Sequence, residues 1–416
     1  MRFLFYGNAY NMGDVGIGAS ILADLRALGP PVELRVVTDT PALYRRLPAC
    51  QGATVVDRAS LWPGGWKRWR SALSAATGNL SWLPPERLRR LEEHYRWADV
   101  VVYQGGPHWN DVWLDVPSFG QHMLHAAVAE YFARPVALVS HGFGPFAWAG
   151  PSGSLRRRLA SIVLRKMSLL VARDRSSLGA LEHLGIDMSK VMMAPDAALR
   201  LRPESPAKGR EILNRFGIRG GERPLVALAV RAMSPRYGIT RAEQEHFHHE
   251  WGRFADQIIE QVGDAFFLST HCASSGGLAS DLELMSEIRR GMQYGDRLGW
   301  IDQDLLPGEI AAVYGQADVL VSARLHPLVF AVGQATPVLG LDYQPKSVYF
   351  MAEMGLEDWL LSYRSFCAEE AVARLEEVLR RQSEIEDHIE RRVAEHRQAA
   401  WEAIEAVAAL AAPAAT

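Results

Sequence analysis

The sequence predicts an α/β protein of two similar-sized domains, each a mostly parallel sheet with packed helices. Three observations predict it. Apolar runs of four to six residues alternate with longer helical patterns, as a parallel sheet requires. The alternation pauses at a polar stretch, residues 201–224, and then resumes. The polar residues able to do chemistry stand just past the ends of the apolar runs, where open α/β sheets bind ligands.

Residues 2–6 (RFLFY) read as the first strand, and GNAYNMGDVGIG then leads into a helix. Further strands are expected at 32–37, 98–103, 135–140 and 169–172, and the last three end in the polar or glycine-rich turns GGPHWND, HGFGPF and RDRSS. The polar stretch after APDAAL reads as a linker that also holds an early helix of the second domain. Second-domain strands are expected at 225–230, 265–269, 319–322 and 337–341, with helices at 251–262 and 308–314 between them. Residues 368–412 read as one long helix, charged early and alanine-rich late. The expected domains are 1–203, 204–365 and a helical extension, 366–416, that braces both. No internal sequence repeat is evident.

The totals exclude several classes. A formal net charge of -3 over 416 residues gives no general support to nucleic-acid binding. Cys50, Cys272 and Cys367 have neither zinc-site spacing nor a disulfide pattern. No run approaches the apolar length of a membrane span, and the first residues do not read as a signal peptide. A cytoplasmic protein is expected, or one peripheral at the inner face of the membrane. No metal is called for, because no carboxylate cluster has convincing ligand spacing. Self-association is left open.

The candidate site residues follow from position. Asn8 and Asp14 lie in the first glycine-rich turn, which suits close approach of a sugar or anion. In the plainer reading, Asn8 shapes the turn and Asp14 caps the helix. His108, Trp109 and Asp111 follow the strand at 98–103, and Trp109 is either a sugar platform or a packing residue. Asp14, Asp111 and His141 are candidate bases. Arg173 suits an anion or, more plainly, an Arg–Asp pair between loops. Arg231, Arg324, His326 and Lys346 sit past second-domain strand ends and together suit a small, highly charged anion. Arg324 and His326 are expected at the mouth of a cleft rather than buried, and His326 is a candidate to hydrogen-bond phosphate or donate a proton, as histidine side chains can near working pH. Cys272, beside His271, reads as incidental. Trp62, Trp66, Trp69 and Trp82 are interleaved with Lys67, Arg68 and Arg70, a patch suited to an anionic membrane surface if the acceptor is lipid-linked.

The ordered set GNAYNMGD, GGPHWND, HGFGPF, RDRSS, APDAAL, the strand ending at Arg231 and SARLHPLVFAVGQATPVLGLDYQPK resembles the polysaccharide pyruvyl transferase family. It departs at Pro107, where a third glycine is usual. The resemblance implies a two-domain fold of the glycosyltransferase B type, with Rossmann-like domains facing a cleft. It implies transfer of a pyruvyl group from phosphoenolpyruvate, a co-substrate rather than a cofactor, to sugar hydroxyls, as a cyclic ketal. It also implies that Arg231, Arg324 and His326 hold phosphoenolpyruvate. Two rivals share these features. A nucleotide-sugar glycosyltransferase would use Arg231 and Lys346 on a diphosphate, and a non-catalytic carbohydrate-binding protein would keep Trp109 without turnover.

Overall fold

The structure is a computed structural model that describes residues 1–58, 85–106, 109, 128–231, 238–268 and 281–411. Two sheets organise these residues. The first holds β1 (Arg2–Tyr6), β2 (Glu33–Thr38), β3 (Thr54–Asp57), β4 (Val100–Gln104), β5 (Val136–His141), β6 (Leu169–Ala172) and β7 (Val191–Met193). Their order is β3-β2-β1-β4-β5-β6-β7. The second holds β8 (Leu225–Ala229), β9 (Asp264–Leu268), β10 (Gly299–Ile301), β11 (Val319–Ser322), β12 (Val338–Leu341) and β13 (Leu360–Leu361), in the order β10-β9-β8-β11-β12-β13. Every pairing in both sheets is parallel. The two sheets repeat one topology. In each, strand order reverses beside the first strand, between β1 and β4 and between β8 and β11. Ligands of open α/β sheets bind at such reversals.

The central strands are covered on both faces, so their sequences are continuous apolar runs rather than alternations. Phe3, Leu4 and Phe5 of β1 are fully buried, as are Val226, Ala227 and Leu228 of β8. The helix Met12–Ala27 follows β1. Asn11 caps it, its side-chain oxygen accepting from the Asp14 N–H at 3.0 Å. The expected cap, Asp14, sits one turn inside and accepts from Asn11 Nδ2 at 2.8 Å.

The chain divides into two compact units. The first comprises Met1–Ala9, Ile17–Ala197 and Gln398–Thr416, the second Tyr10–Gly16 and Ala198–Arg397. The expected single C-terminal helix is two, Ala368–Arg380 and Gln382–Ala409, because Arg381 leaves helical geometry between them. The first starts where the Ala368 N–H donates to buried Glu250 at 3.0 Å. Among the described residues no helix is long and apolar enough to cross a membrane.

Candidate functional site

In the second unit the strand reversal is flanked by Arg231, two residues past β8, and Arg324, two residues past β11. Ser322 sets the turn after β11: its hydroxyl accepts from the Arg324 N–H and donates to the Arg324 carbonyl, both at 2.9 Å. The Arg324 side chain then runs inward, 12% exposed, to an ion pair with Asp281, which is 1% exposed. Asp281 opens the helix Asp281–Gly291. Burial works against the Arg324 charge, but the Asp281 carboxylate outweighs it and holds the guanidinium above its usual range. Burial, and then the negative charge of Asp281, push up the Tyr314 hydroxyl beneath them.

The pair is not saturated. Asp281 Oδ2 and Arg324 Nε are buried without a hydrogen-bond partner among the described residues. Such groups are costly unless a ligand or water completes them. Arg231 lies half-buried with its guanidinium carbon 5.5 Å from the centre of the Tyr343 ring, a cation–π arrangement that fixes its direction. Lys346 stands in the first turn of the helix Pro345–Glu353 and is half-buried. This unit therefore carries Arg231, Arg324, His326 and Lys346 past its strand ends, with the buried Asp281 carboxylate paired to Arg324.

His326 occupies the first turn of Leu325–Val332, a helix in which all eight residues are buried. It is 8% exposed. The expectation of an exposed Arg324–His326 pair at a cleft mouth is therefore corrected: both run inward, because the helix that carries His326 is apolar on every side. What covers His326 comes from the other end of the sequence. A Cβ placed on Gly13 would lie 2.0 Å from His326 Cγ and Nδ1, and one on Gly16 would lie 2.7 Å from Phe330. The first turn of Met12–Ala27 thus packs on the helix of His326, and only glycine permits that approach. Asp14, 2% exposed, belongs to this unit and not to the first.

The first unit places its candidates differently. Asn8 is buried in a network at the β1–β4 reversal. Gln104 Nε2 donates to Asn8 Oδ1 at 3.2 Å, and the Tyr44 hydroxyl donates to the Asn8 carbonyl at 2.8 Å. Gly7 and Gly18 make room for Tyr44, since a Cβ on either would come within 2.8 Å of its hydroxyl oxygen. Trp109 is 1% exposed, bridges to Phe143 and offers no open ring face. His141 is 2% exposed, and its ring lies 5.7 Å from that of Phe143. Arg173 pairs with Asp196 at 3.0 Å, joining the ends of β6 and β7, and Asp174 caps the next helix by accepting from the Ser177 N–H at 2.9 Å. His108, Asp111, His271, Cys272 and the segment from Trp62 to Trp82 lie outside the described residues.

Sequence reasoning missed Asp281 and Tyr314. Asp281 follows the serine- and glycine-rich stretch STHCASSGGLAS and reads there as a plain helix-opening acid. Among the described residues one group, Glu250, Cys367 and Glu369, has metal-ligand spacing. Its carboxylates are already engaged by Arg253 and the Ala368 N–H.

A family model described as polysaccharide pyruvyl transferase matches residues 11–345. The amylovoran biosynthesis protein AmsJ of Erwinia amylovora is 24% identical over 317 residues, 75% of this chain and 73% of that protein. Among solved structures, UDP-GlcNAc 2-epimerase from Neisseria meningitidis aligns with a TM-score of 0.64 and 11% identity, over 98% of this chain and 100% of that one. A glycosyltransferase from Rickettsia africae gives 0.62 and 11%, over 98% of both chains. Escherichia coli ADP-heptose heptosyltransferase II gives 0.51 and 14%, over 92% and 100%. These three share the two-unit fold of the glycosyltransferase B type; at such identities they speak to fold alone.

Proposed function

The chain belongs to the polysaccharide pyruvyl transferase family, a transferase family of polysaccharide biosynthesis, and from that premise we propose that it moves the pyruvyl group of phosphoenolpyruvate onto sugar hydroxyls. The observation that carries this reading is the unsaturated Arg324–Asp281 pair beside Arg231 at the strand reversal of the second unit. A small anion with a carboxylate and a phosphate matches cations that follow the neighbouring strands β8, β11 and β12. A planar guanidinium binds either group through paired hydrogen bonds.

In this reading Arg324, with Arg231 and Lys346, holds the donor's carboxylate and phosphate, and Asp281 keeps Arg324 aimed. Protonation of the donor's methylene carbon develops positive character at C2, and a sugar hydroxyl attacks there. Attack by a second hydroxyl, with the C–O bond to phosphate breaking, closes a cyclic ketal and releases inorganic phosphate. His326 assists phosphate departure by donating a hydrogen bond or proton. Asp14 is the preferred base of the three candidates because it shares the unit of His326; Asp111 and His141 remain first-domain alternatives. Asn8, His108 and Trp109 stay assigned to the acceptor, although Trp109 would have to turn out of its packing to meet a sugar.

The test is calorimetric titration of the full chain with phosphoenolpyruvate, beside UDP- and GDP-sugars. Saturable phosphoenolpyruvate binding is expected, weakened at least about tenfold in Arg231→Ala, with an unfolding curve of the variant to show that it is folded. Binding of a nucleotide sugar with no phosphoenolpyruvate signal would replace this reading with a nucleotide-sugar glycosyltransferase.

A further inference from the structure

The helix Gly150–Arg165 of the first unit has a surface that the transfer chemistry does not use. Its sequence, GPSGSLRRRLASIVLR, carries four arginines and no acidic residue, and Lys166 follows directly. That is a local reversal of charge in a chain whose formal net charge is -3. At about 100° per residue, Leu155, Arg158, Ile162 and Arg165 fall within an arc of about 80°. The buried residues Gly153, Ala160, Val163 and Leu164 lie on the opposite side. The outward arc is therefore not the usual polar one. Leu155 is 58% exposed and Ile162 41% exposed, one helical face apart by two turns, with the arginines alongside. Beside the helix end, Lys166 is ion-paired with Glu130, and the next residue, Tyr131, is 60% exposed.

Scattered exposed aliphatic residues need no explanation, but these are aligned on one face and interleaved with cations. A helix that lies in a membrane interface has this composition: aliphatic and aromatic side chains to enter the headgroup region and basic side chains to meet anionic lipid. We propose that Gly150–Arg165, with Lys166 and Tyr131 at its end, docks the protein on an anionic lipid surface. The proposal depends neither on the tryptophan-rich segment nor on the identity of the donor.

The test uses the full chain and flotation with vesicles of phosphatidylcholine alone or with phosphatidylglycerol added. Binding to the anionic vesicles only is expected, falling as salt is raised, because charge near a membrane is screened over about 8 Å at physiological ionic strength. Each basic residue at such a surface is worth about fivefold in partitioning, so Arg158→Glu with Arg165→Glu should lose at least about tenfold. Leu155→Ser with Ile162→Ser should lose a smaller factor and leave the remaining binding more sensitive to salt. A second readout covers misfolding of these variants: an environment-sensitive dye on Leu155→Cys should shift to the blue on anionic vesicles. Failure of the wild-type chain to float would overturn the proposal. So would flotation unaltered in both double variants, an unshifted dye, or retention of the protein on soluble polyanions without vesicle binding. Self-association lost in Leu155→Ser with Ile162→Ser, without flotation, would make the face a contact between copies and likewise overturn it.

Discussion

Among the described residues each unit has one largely buried arginine–aspartate pair at its strand ends, and the two pairs are built to different purposes. In the first unit Arg173 and Asp196 are 6% and 5% exposed, tie β6 to β7, and show no unpartnered buried side-chain atom among the described residues. Around them Asp174, Ser177 and Phe143 complete one another, with the Phe143 N–H donating to the Ser177 hydroxyl at 2.8 Å. In the second unit Arg324 and Asp281 are 12% and 1% exposed, yet each keeps a buried polar atom with no partner among the described residues. A buried pair gains little net stability, because desolvation consumes most of the Coulombic attraction. A satisfied pair therefore acts as a fastener. An unsatisfied one holds hydrogen-bonding capacity for something that arrives later.

The sharpest test removes one carboxylate from each pair. Asp196→Asn and Asp281→Asn should each cost about 3–5 kcal/mol in denaturant unfolding, since each leaves a buried arginine without its counter-charge. Only Asp281→Asn should also alter phosphoenolpyruvate affinity in calorimetry, and an equal effect from Asp196→Asn would end the distinction. Apolar replacement of whole pairs sharpens it further. Arg173→Met with Asp196→Leu should recover stability to within about 1–2 kcal/mol of wild type with donor affinity intact. Arg324→Met with Asp281→Leu should recover stability but not binding.

A smaller effect probes how His326 is held. Gly13→Ala should slow pyruvyl transfer about tenfold by displacing the imidazole, a cost of roughly 1.4 kcal/mol. In a His326→Gln background the same change should cost much less, and equal losses in both backgrounds would make Gly13 merely structural. The smallest effect belongs to the first unit. His94 is buried, and burial first, with the Arg35 charge second, lowers its pKa. The unfolded chain then takes up a proton that the folded chain refuses. Stability should fall as pH drops below about 6.5, and unfolding of His94→Gln should show a shallower slope there.

The centre of both sheets was legible because interior strands are continuous apolar runs: β1, β6 and β11 lie where the sequence put them. The four strands that escaped, β3, β7, β10 and β13, are the four sheet edges. They are two to four residues long and partly exposed, so Thr54–Asp57 or Gly299–Ile301 carries no apolar run to read. Short edges are how sheets avoid pairing with other chains, and that protection hides them. At the site, positions past strand ends were legible. Partnership was not: nothing in the sequence ties Asp281 to Arg324, or Gly13 to His326. The misplaced cap is a nearer miss, since Asn11 and Asp14 are both good capping types and three residues apart.

Gly13 against His326 also bears on the order in which the molecule is made. Positions 13 and 326 lie near opposite ends of the chain, so their contact closes a loop that spans most of it. Contacts of such separation form late, because the entropy of loop closure must be met before they are rewarded. A ribosome releases Tyr10–Gly16 well before Ala198–Arg397, so these seven wait for the rest of the second unit before they have anything to cover. During synthesis the histidine pocket therefore stays incomplete until residues 325–332 have followed residues 10–16. A fragment beginning at Ala198 would never complete it, and splitting the gene at the apparent boundary would remove the lid of His326 along with the first sheet.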